Sequence, residues 1–198
     1  VAAEPPPPDP DFVGDDPEFS TMGLVIGESF TMTIGVENDG GPSDDGAISV
    51  SFPNLDSPSD ESQVQFIDGS SDLQYQERAQ GESIYDNNCD PVMADYLSVE
   101  AVDFNWETDE ENVLLISVTP DETGPFRVNV RSTMKTASLP IGDCPYHNGV
   151  PTDEGTPGTD SQTGWPVKYY IVDVLAPPGE LFNPSISPEI GPSDEDFD

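Results

Sequence analysis

Alternation with a period of two dominates the middle of the chain. In Glu28 to Glu37, Phe30, Met32, Ile34 and Val36 fall on one face and Ser29, Thr31, Thr33 and Gly35 on the other, the signature of a half-buried strand. Asn38, Asp39, Gly40, Gly41 and Pro42 then break the run with turn chemistry. Ala47 to Phe52 resumes it, with Ile48, Val50 and Phe52 set against Ser49 and Ser51. Val64 to Ile67 predicts a shorter strand and Tyr96 to Trp106 a longer one. In the longer run Leu97, Val99 and Ala101 hold one parity while Val102, Phe104 and Trp106 hold the other, so a bulge or bend is expected where the parity changes. Val113 to Val118 is a continuous apolar run and predicts a central strand covered on both faces. Phe126, Val128 and Val130 alternate with Arg127, Asn129 and Arg131, which sets two cations on one strand face, where ion pairs with the surrounding carboxylates are expected. Val167 to Leu175 predicts the closing strand. No dozen residues show helical spacing free of Pro and Gly, and Asp72 to Gln80 reaches at most a short helical turn.

Seven or so short strands divided by turn signals predict an all-β antiparallel sandwich. Its flanks look different. Residues 1–20 carry Pro5, Pro6, Pro7, Pro8, Pro10 and Pro17 among Asp9, Asp11, Asp15 and Asp16, and predict an extended tail near polyproline II. Residues 21–175 make the sandwich, and residues 176–198 a second acidic, Pro-rich tail. Within the sandwich, residues 139–165 are broken by so many Pro and Gly residues that they predict one long loop, of the kind that is usually functional or linker-like.

Charge changes the picture more than any motif. Against 40 Asp and Glu stand only 5 Lys and Arg, a formal net charge of -35 over 198 residues. In dilute buffer such a surface repels itself, whereas the Debye length falls to ~3 Å at 1 M salt. The balance points to a halophilic, archaeal setting. The 34% hydrophobic content, grouped in alternating runs, argues for a folded core over disorder. Five scattered cations form no basic footprint for nucleic acid or for an anionic membrane. No run approaches the length of a membrane-spanning helix, and no signal segment opens the chain, so Val1 reads as a processed or trimmed terminus of an exported form.

Cys89 and Cys144 are the sole cysteines. A disulfide between them would close a long loop and add ~4 kcal/mol in the chain-entropy picture, consistent with an extracellular location. The alternative is a pair of buried thiols acting as small hydrophobes.

The stretch Gly27 to Gly40, with its acidic turn, alternating strand and Val36, Asn38, Gly40 corner, resembles the Ig-like, cell-adhesion-type (CARDB-like) β-sandwich domains of haloarchaeal secreted and surface proteins. Thr119 to Val130 is similar to their later turn-plus-strand element, and Gly164 to Val174 to their terminal strand. Together these cover about a third of the chain. The resemblance implies an Ig-like fold and a surface location, and it brings no catalytic residues with it.

Chemistry is sparse. The one histidine, His147, lies in a loop without the Gly-x-Ser-x-Gly elbow of a hydrolase, and no glycine-rich loop has the spacing and Lys of a phosphate cradle. No catalytic residues are therefore assigned. Calcium, which takes six to eight oxygens, finds weak candidates in Asp9, Asp11, Asp44 and Asp45, none in the spacing of a known loop. No cofactor is otherwise implied. Trp106 reads as a core or corner residue, while Tyr146, His147 and Trp165 mark a candidate binding loop.

These readings converge on a non-enzymatic extracellular structural protein of a halophilic archaeon. It is a subunit of a cell-surface filament, pilus-like fibre or surface layer, a homo-oligomer or polymer assembled by tail or strand exchange. Phe12, Val13, Phe19, Met22, Leu24, Val25 and Ile26 supply the anchors, around a turn at Gly23. The alternative is a monomeric secreted adhesion module that recognises carbohydrate or protein through residues 139–165.

Overall fold

The computed structural model describes residues 6–44, 46–55, 63–78, 83–85, 91–93, 97–134, 158–159 and 166–179. The chain forms strands β1 (Pro10–Phe12), β2 (Glu18–Phe19), β3 (Gly23–Val25), β4 (Phe30–Asn38), β5 (Gly46–Phe52), β6 (Val64–Gly69) and β7 (Gln74–Arg78). It continues with β8 (Ser83–Tyr85), β9 (Pro91–Met93), β10 (Leu97–Asp103), β11 (Glu111–Val118), β12 (Gly124–Met134), β13 (Gly158–Thr159) and β14 (Pro166–Leu175). Two layers result. The first runs β1, β4, β11, β6, with β2 also on β4; the second runs β13, β14, β12, β5, β10, β7, with β3 also on β14. Strands β8 and β9 pair with each other. Every pairing is antiparallel except β3 on β14. This is the antiparallel sandwich expected from the alternation, of the Ig-like kind that the resemblance implies.

The core is the set of inward positions that the period of two selects. Phe30, Met32, Ile34 and Val36 of β4 and Leu114, Ile116 and Val118 of β11 face Ile48, Val50 and Phe52 of β5 and Phe126, Val128 and Val130 of β12, all essentially buried. Phe126 joins the layers, its ring 6.1 Å from those of both Phe30 and Phe52. At ~25 cal/mol per Å² of apolar surface removed from water, this shared interior is what holds the two sheets face to face.

Four details differ from the alternation-based expectations. Strand β11 is covered on one face only: Leu114, Ile116 and Val118 are buried, whereas Val113 and Leu115 are half-buried on the outside. The parity change after Ala101 makes no bulge, because β10 keeps unbroken register with both neighbours, and the expected alternative, a bend, falls at Phe104 and Asn105. There Phe104 turns outward and Trp106 returns to the interior through an isolated bridge to Ser43. The register shift of the fold lies elsewhere, between Leu115 and Ile116 where β11 meets β6. Residues 74–78, inside the Asp72 to Gln80 stretch read as reaching at most a short helical turn, form strand β7.

The N-terminal segment differs most. Residues 10–12 and 18–19 are strands of the first sheet and not a free tail, so the folded body starts well before residue 21. Ahead of them, Pro6 to Asp9 lies along the Asn38–Gly41 turn, with the Gly41 N–H donating to the Pro7 carbonyl at 2.9 Å and the Asp39 N–H to that of Asp9 at 3.0 Å. A side chain at Gly40 or Gly41 would collide with this proline backbone. The paired glycines thus serve close approach as well as turning. Asn38, fully buried, ties the corner: its Oδ1 accepts from the Asp9 and Gly40 N–H groups, and its Nδ2 donates to the Gly41 and Glu107 carbonyls.

Candidate assembly surfaces

The segment chosen for its anchors forms a strap along one flank of the sandwich. Its first part pairs with β4, Phe12 opposite Val36 and Phe19 opposite Met32. Three steps along β4 correspond to six along the strap, so Val13 to Pro17 bulges out. The bulge is closed by the Val13 N–H donating to the Gly35 carbonyl at 3.0 Å and by the Gly35 N–H donating to Asp16 Oδ2 at 2.6 Å. The strap then crosses to the other layer, where β3 lies parallel to β14 with Leu24 opposite Val174. The Asp173 N–H donates to the Met22 carbonyl and the Ile26 N–H to that of Leu175, both at 2.9 Å.

The seven anchors divide by environment. Phe12 and Leu24 are buried, and Phe19 and Ile26 pack against the core from its edge. Val13 and Val25 are half-buried. Met22 is 40% exposed. Gly23 starts β3 and makes no turn. In the single chain all of them dock on their own sheets.

A cationic clasp pins the strap. Lys168 on β14 is buried; its Nζ donates to the Asp16 carbonyl at 2.5 Å and stands 4.9 Å from the centre of the Phe12 ring. Burial lowers its amine pKa, while Asp11, Asp15 and Asp16 pull the other way. The Asp16 carboxyl is raised, chiefly by burial, against the lowering effect of its bond from Gly35. Tyr170, whose ring lies 4.7 Å from that of Phe19, is pushed up to about 12 by burial and then by Asp16 and Asp15.

The strands of the two sheets differ in the charges they carry. Strands of the first sheet carry Asp11, Glu18, Glu37, Asp68 and Glu111 and no Lys or Arg. Three of these make one cross-strand row, since Asp11 and Glu111 both stand opposite Glu37, an arrangement that costs stability in dilute buffer. Beside the row lie the half-buried Val113 and Leu115. Strands of the second sheet carry Arg78, Arg127, Arg131 and Lys168 against Glu77, Glu100, Asp103 and Asp173, four of each sign. Arg127 stacks on Tyr169, its guanidinium carbon 4.4 Å from the ring centre, and its Nε donates to Asn129 Oδ1 at 2.8 Å.

A cleft of about 490 Å³ opens at the far end, lined by Asp72, Gln74, Asp103, Phe104, Asn105 and neighbouring acids. Asp103 is engaged by the Asn112 side chain at 2.9 Å and the Asn105 N–H at 2.8 Å. Trp106 is fully buried, with its indole N–H donating to the Glu110 carbonyl at 2.9 Å.

Of the remaining sequence candidates, Asp9, Asp11 and Asp44 fall in no group of three acidic, His or Cys side chains suited to a metal among the described residues. Asp45, Cys89, Cys144, Tyr146, His147 and Trp165, with most of the 139–165 loop and all but the first four residues of the 176–198 tail, lie outside the described residues. No helix among the described residues is long and apolar enough to cross a membrane. The unlike charge of the two layers was missed from sequence, because strand order decides which charges share a layer.

No family model and no curated protein matches the chain. Among solved structures it is similar to a CARDB domain from Pyrococcus furiosus described as a complex with di-metal ions, at 12% identity and a TM-score of 0.39, covering 89% of this chain and 100% of that one. A protein described as catalysing macrocyclisation in alchivemycin A biosynthesis matches at 10% identity and a TM-score of 0.41, over 88% of this chain and 92% of that one. A 35 kDa C-terminal fragment of the major pilin of Streptococcus agalactiae matches at 11% identity and a TM-score of 0.25, over 71% and 52%. The likeness is one of fold, and the first of these structures is of the CARDB kind that the sequence resembles.

Proposed function

We propose that the protein is a non-enzymatic extracellular structural subunit of a salt-adapted archaeal cell surface, building a filament, pilus-like fibre or layer from identical copies by strand exchange. The strap carries this reading. One short segment supplies edge strands to both sheets and inserts Phe12 and Leu24 into the core. The sites it fills on β4 and β14 are identical in every copy, so the strap of a neighbour fits them without new contacts, which is the low-cost route to exchanged assemblies. The charge of -35 sets the condition, because copies approach closely only where salt screens them.

A crosslink tests the exchange. Asp11 and Glu37 stand directly opposite, within the Cα separation a disulfide spans. The double variant Asp11→Cys, Glu37→Cys, oxidised at multimolar salt and run on a denaturing gel, gives a covalent ladder if straps are exchanged. A single band at monomer mass means that each strap stays on its own sheet, and rejects exchange.

A further inference from the structure

We infer that only the first half of the strap passes between copies: residues 6–20 form a detachable arm that swings about the Ser20–Thr21 joint onto the β4 edge of a neighbour, while residues 21–26 stay on their own β14. The inference rests on the exchange reading above and narrows it to one segment, one hinge and one receiving edge.

The two halves are built differently. Residues 6–20 carry Asp9, Asp11, Asp15, Asp16 and Glu18 and no Lys or Arg, whereas residues 21–26 carry no charge at all. The arm lies on an edge of its own sign: Asp11 stands opposite Glu37, and Glu37 opposite Glu111, and like charges opposed across strands weaken a pairing. Its bulge also encloses ionisable groups, the half-buried Asp16 and the buried Lys168, whose removal from water is unfavourable. The second half is apolar. Leu24 is buried and Ile26 packs on the core. Its ladder, with Gly23, Leu24 and Val25 opposite Asp173, Val174 and Leu175, is extended at both ends by the Met22 carbonyl and the Ile26 N–H.

The joint between them is one peptide long. Ser20 belongs to the arm: its N–H donates to the Thr31 carbonyl of β4 at 3.0 Å, and its Oγ accepts from the Thr31 N–H at 2.9 Å. Thr21 belongs to the second half: its Oγ1 donates to the Gly23 carbonyl at 2.7 Å and accepts from the Gly23 N–H at 3.2 Å. Hinges this short favour swapping over closure. Opened there and extended, residues 6–20 span about 50 Å, enough to reach an adjacent copy.

The edge the arm leaves accepts one kind of segment. The Lys168 ammonium is met by the Asp16 carbonyl and the Phe12 ring, and the Gly35 N–H by Asp16 Oδ2. A strand without the bulge would enclose that ammonium and that amide with no acceptor, which is strongly unfavourable. Residues 6–20 of a second copy supply both acceptors in the same register, so the occupant is the arm of an identical chain. Salt governs its release. At about 0.1 M the Debye length of ~10 Å spans the facing carboxylates and the arm is pushed off, while at 1 M it falls to ~3 Å and the arm is held wherever it has landed.

Two cysteine pairs test this. Glu18→Cys with Thr33→Cys ties the arm to β4, and Gly23→Cys with Asp173→Cys ties the second half to β14; both are directly opposed positions, and a Cβ at Gly23 meets nothing closer than the Asp173 carbonyl at 3.9 Å. Each variant is held at about 0.1 M salt, concentrated, returned to multimolar salt, oxidised and run on a denaturing gel. Circular dichroism checks the fold, thiol titration checks closure of the bridge, and the wild type gives the baseline from Cys89 and Cys144. The arm pair is expected to give a covalent ladder several-fold stronger than in the same variant kept at multimolar salt throughout, and the second pair a band at monomer mass. Ladders of equal strength from both pairs overturn the arm and leave exchange of the whole strap standing. An arm ladder indifferent to the salt step overturns release by charge. Closed bridges with monomer bands from both pairs remove the exchange reading itself.

Discussion

Asp16 shows how a single carboxylate can serve geometry at the expense of stability. Its Oδ2 closes the strap bulge on the Gly35 N–H, yet burial raises its pKa, so its charged form is disfavoured in the fold at neutral pH. The sign follows: a carboxyl raised in the folded state favours folding as pH drops through that raised value, and its ionisation opposes folding above it. Asp16→Asn keeps an acceptor without the charge and is expected to raise the melting temperature at pH 7, while Asp16→Ala, which orphans the Gly35 N–H, is expected to lower it. Gly35 is the other half of this contact. A Cβ there would meet Asp16 Oδ2 at 2.5 Å and Val13 Cβ at 3.2 Å, so Gly35→Ala is expected to cost about 1–3 kcal/mol in denaturant titration. Tyr75 presents the opposite case: its hydroxyl is buried with no partner among the described residues, and Tyr75→Phe is expected to be neutral or stabilising by about 1 kcal/mol. At the alkaline end, Tyr170 is held up to about 12 from an ordinary 10.0. The unfolded chain releases that proton first, so stability falls as pH climbs above about 10. Tyr170→Phe is expected to flatten that decline in pH-dependent melting curves.

Among the elements, legibility tracked how many faces of a strand are covered and by what. The run Phe30 to Val36 was plain because one parity of β4 meets the core and the other meets solvent or the strap. Arg127, Asn129 and Arg131 were placed correctly for the same reason. The apolar Val113 and Leu115 misled, because an outer face rich in β-branched and aliphatic residues looks like a core face when read without its neighbours. Val102 misled in another way: β10 is buried on both sides, so parity stops reporting which side is inward. The strap was least legible. Prolines at 5–8, 10 and 17 signal extension, and extension is equally the geometry of a free tail and of an edge strand. Only the partner edge on β4 decides, and it lies 13 to 28 residues away in sequence.

For the whole molecule, charge and layer order act together. Concentrating four cations in one sheet leaves the other with five carboxylates, of which Asp11 feels Lys168 across the layers, so stability depends largely on the solution to screen the rest. Dialysis from multimolar to about 0.1 M salt, where the Debye length is ~10 Å, is expected to lower the melting temperature by roughly 5–10 °C, corresponding to ~2–3 kcal/mol for a chain of this size. An unchanged scan would mean that the acidic row is neutralised from within.

The parallel pairing of β3 with β14 has a mechanical consequence. Tension entering before Gly23 and leaving past Leu175 pulls these two strands in opposite senses along a shared axis. Their hydrogen bonds are then strained together in shear and not peeled apart in turn. A unit tugged at those two points resists through this junction, where both strands run the same way.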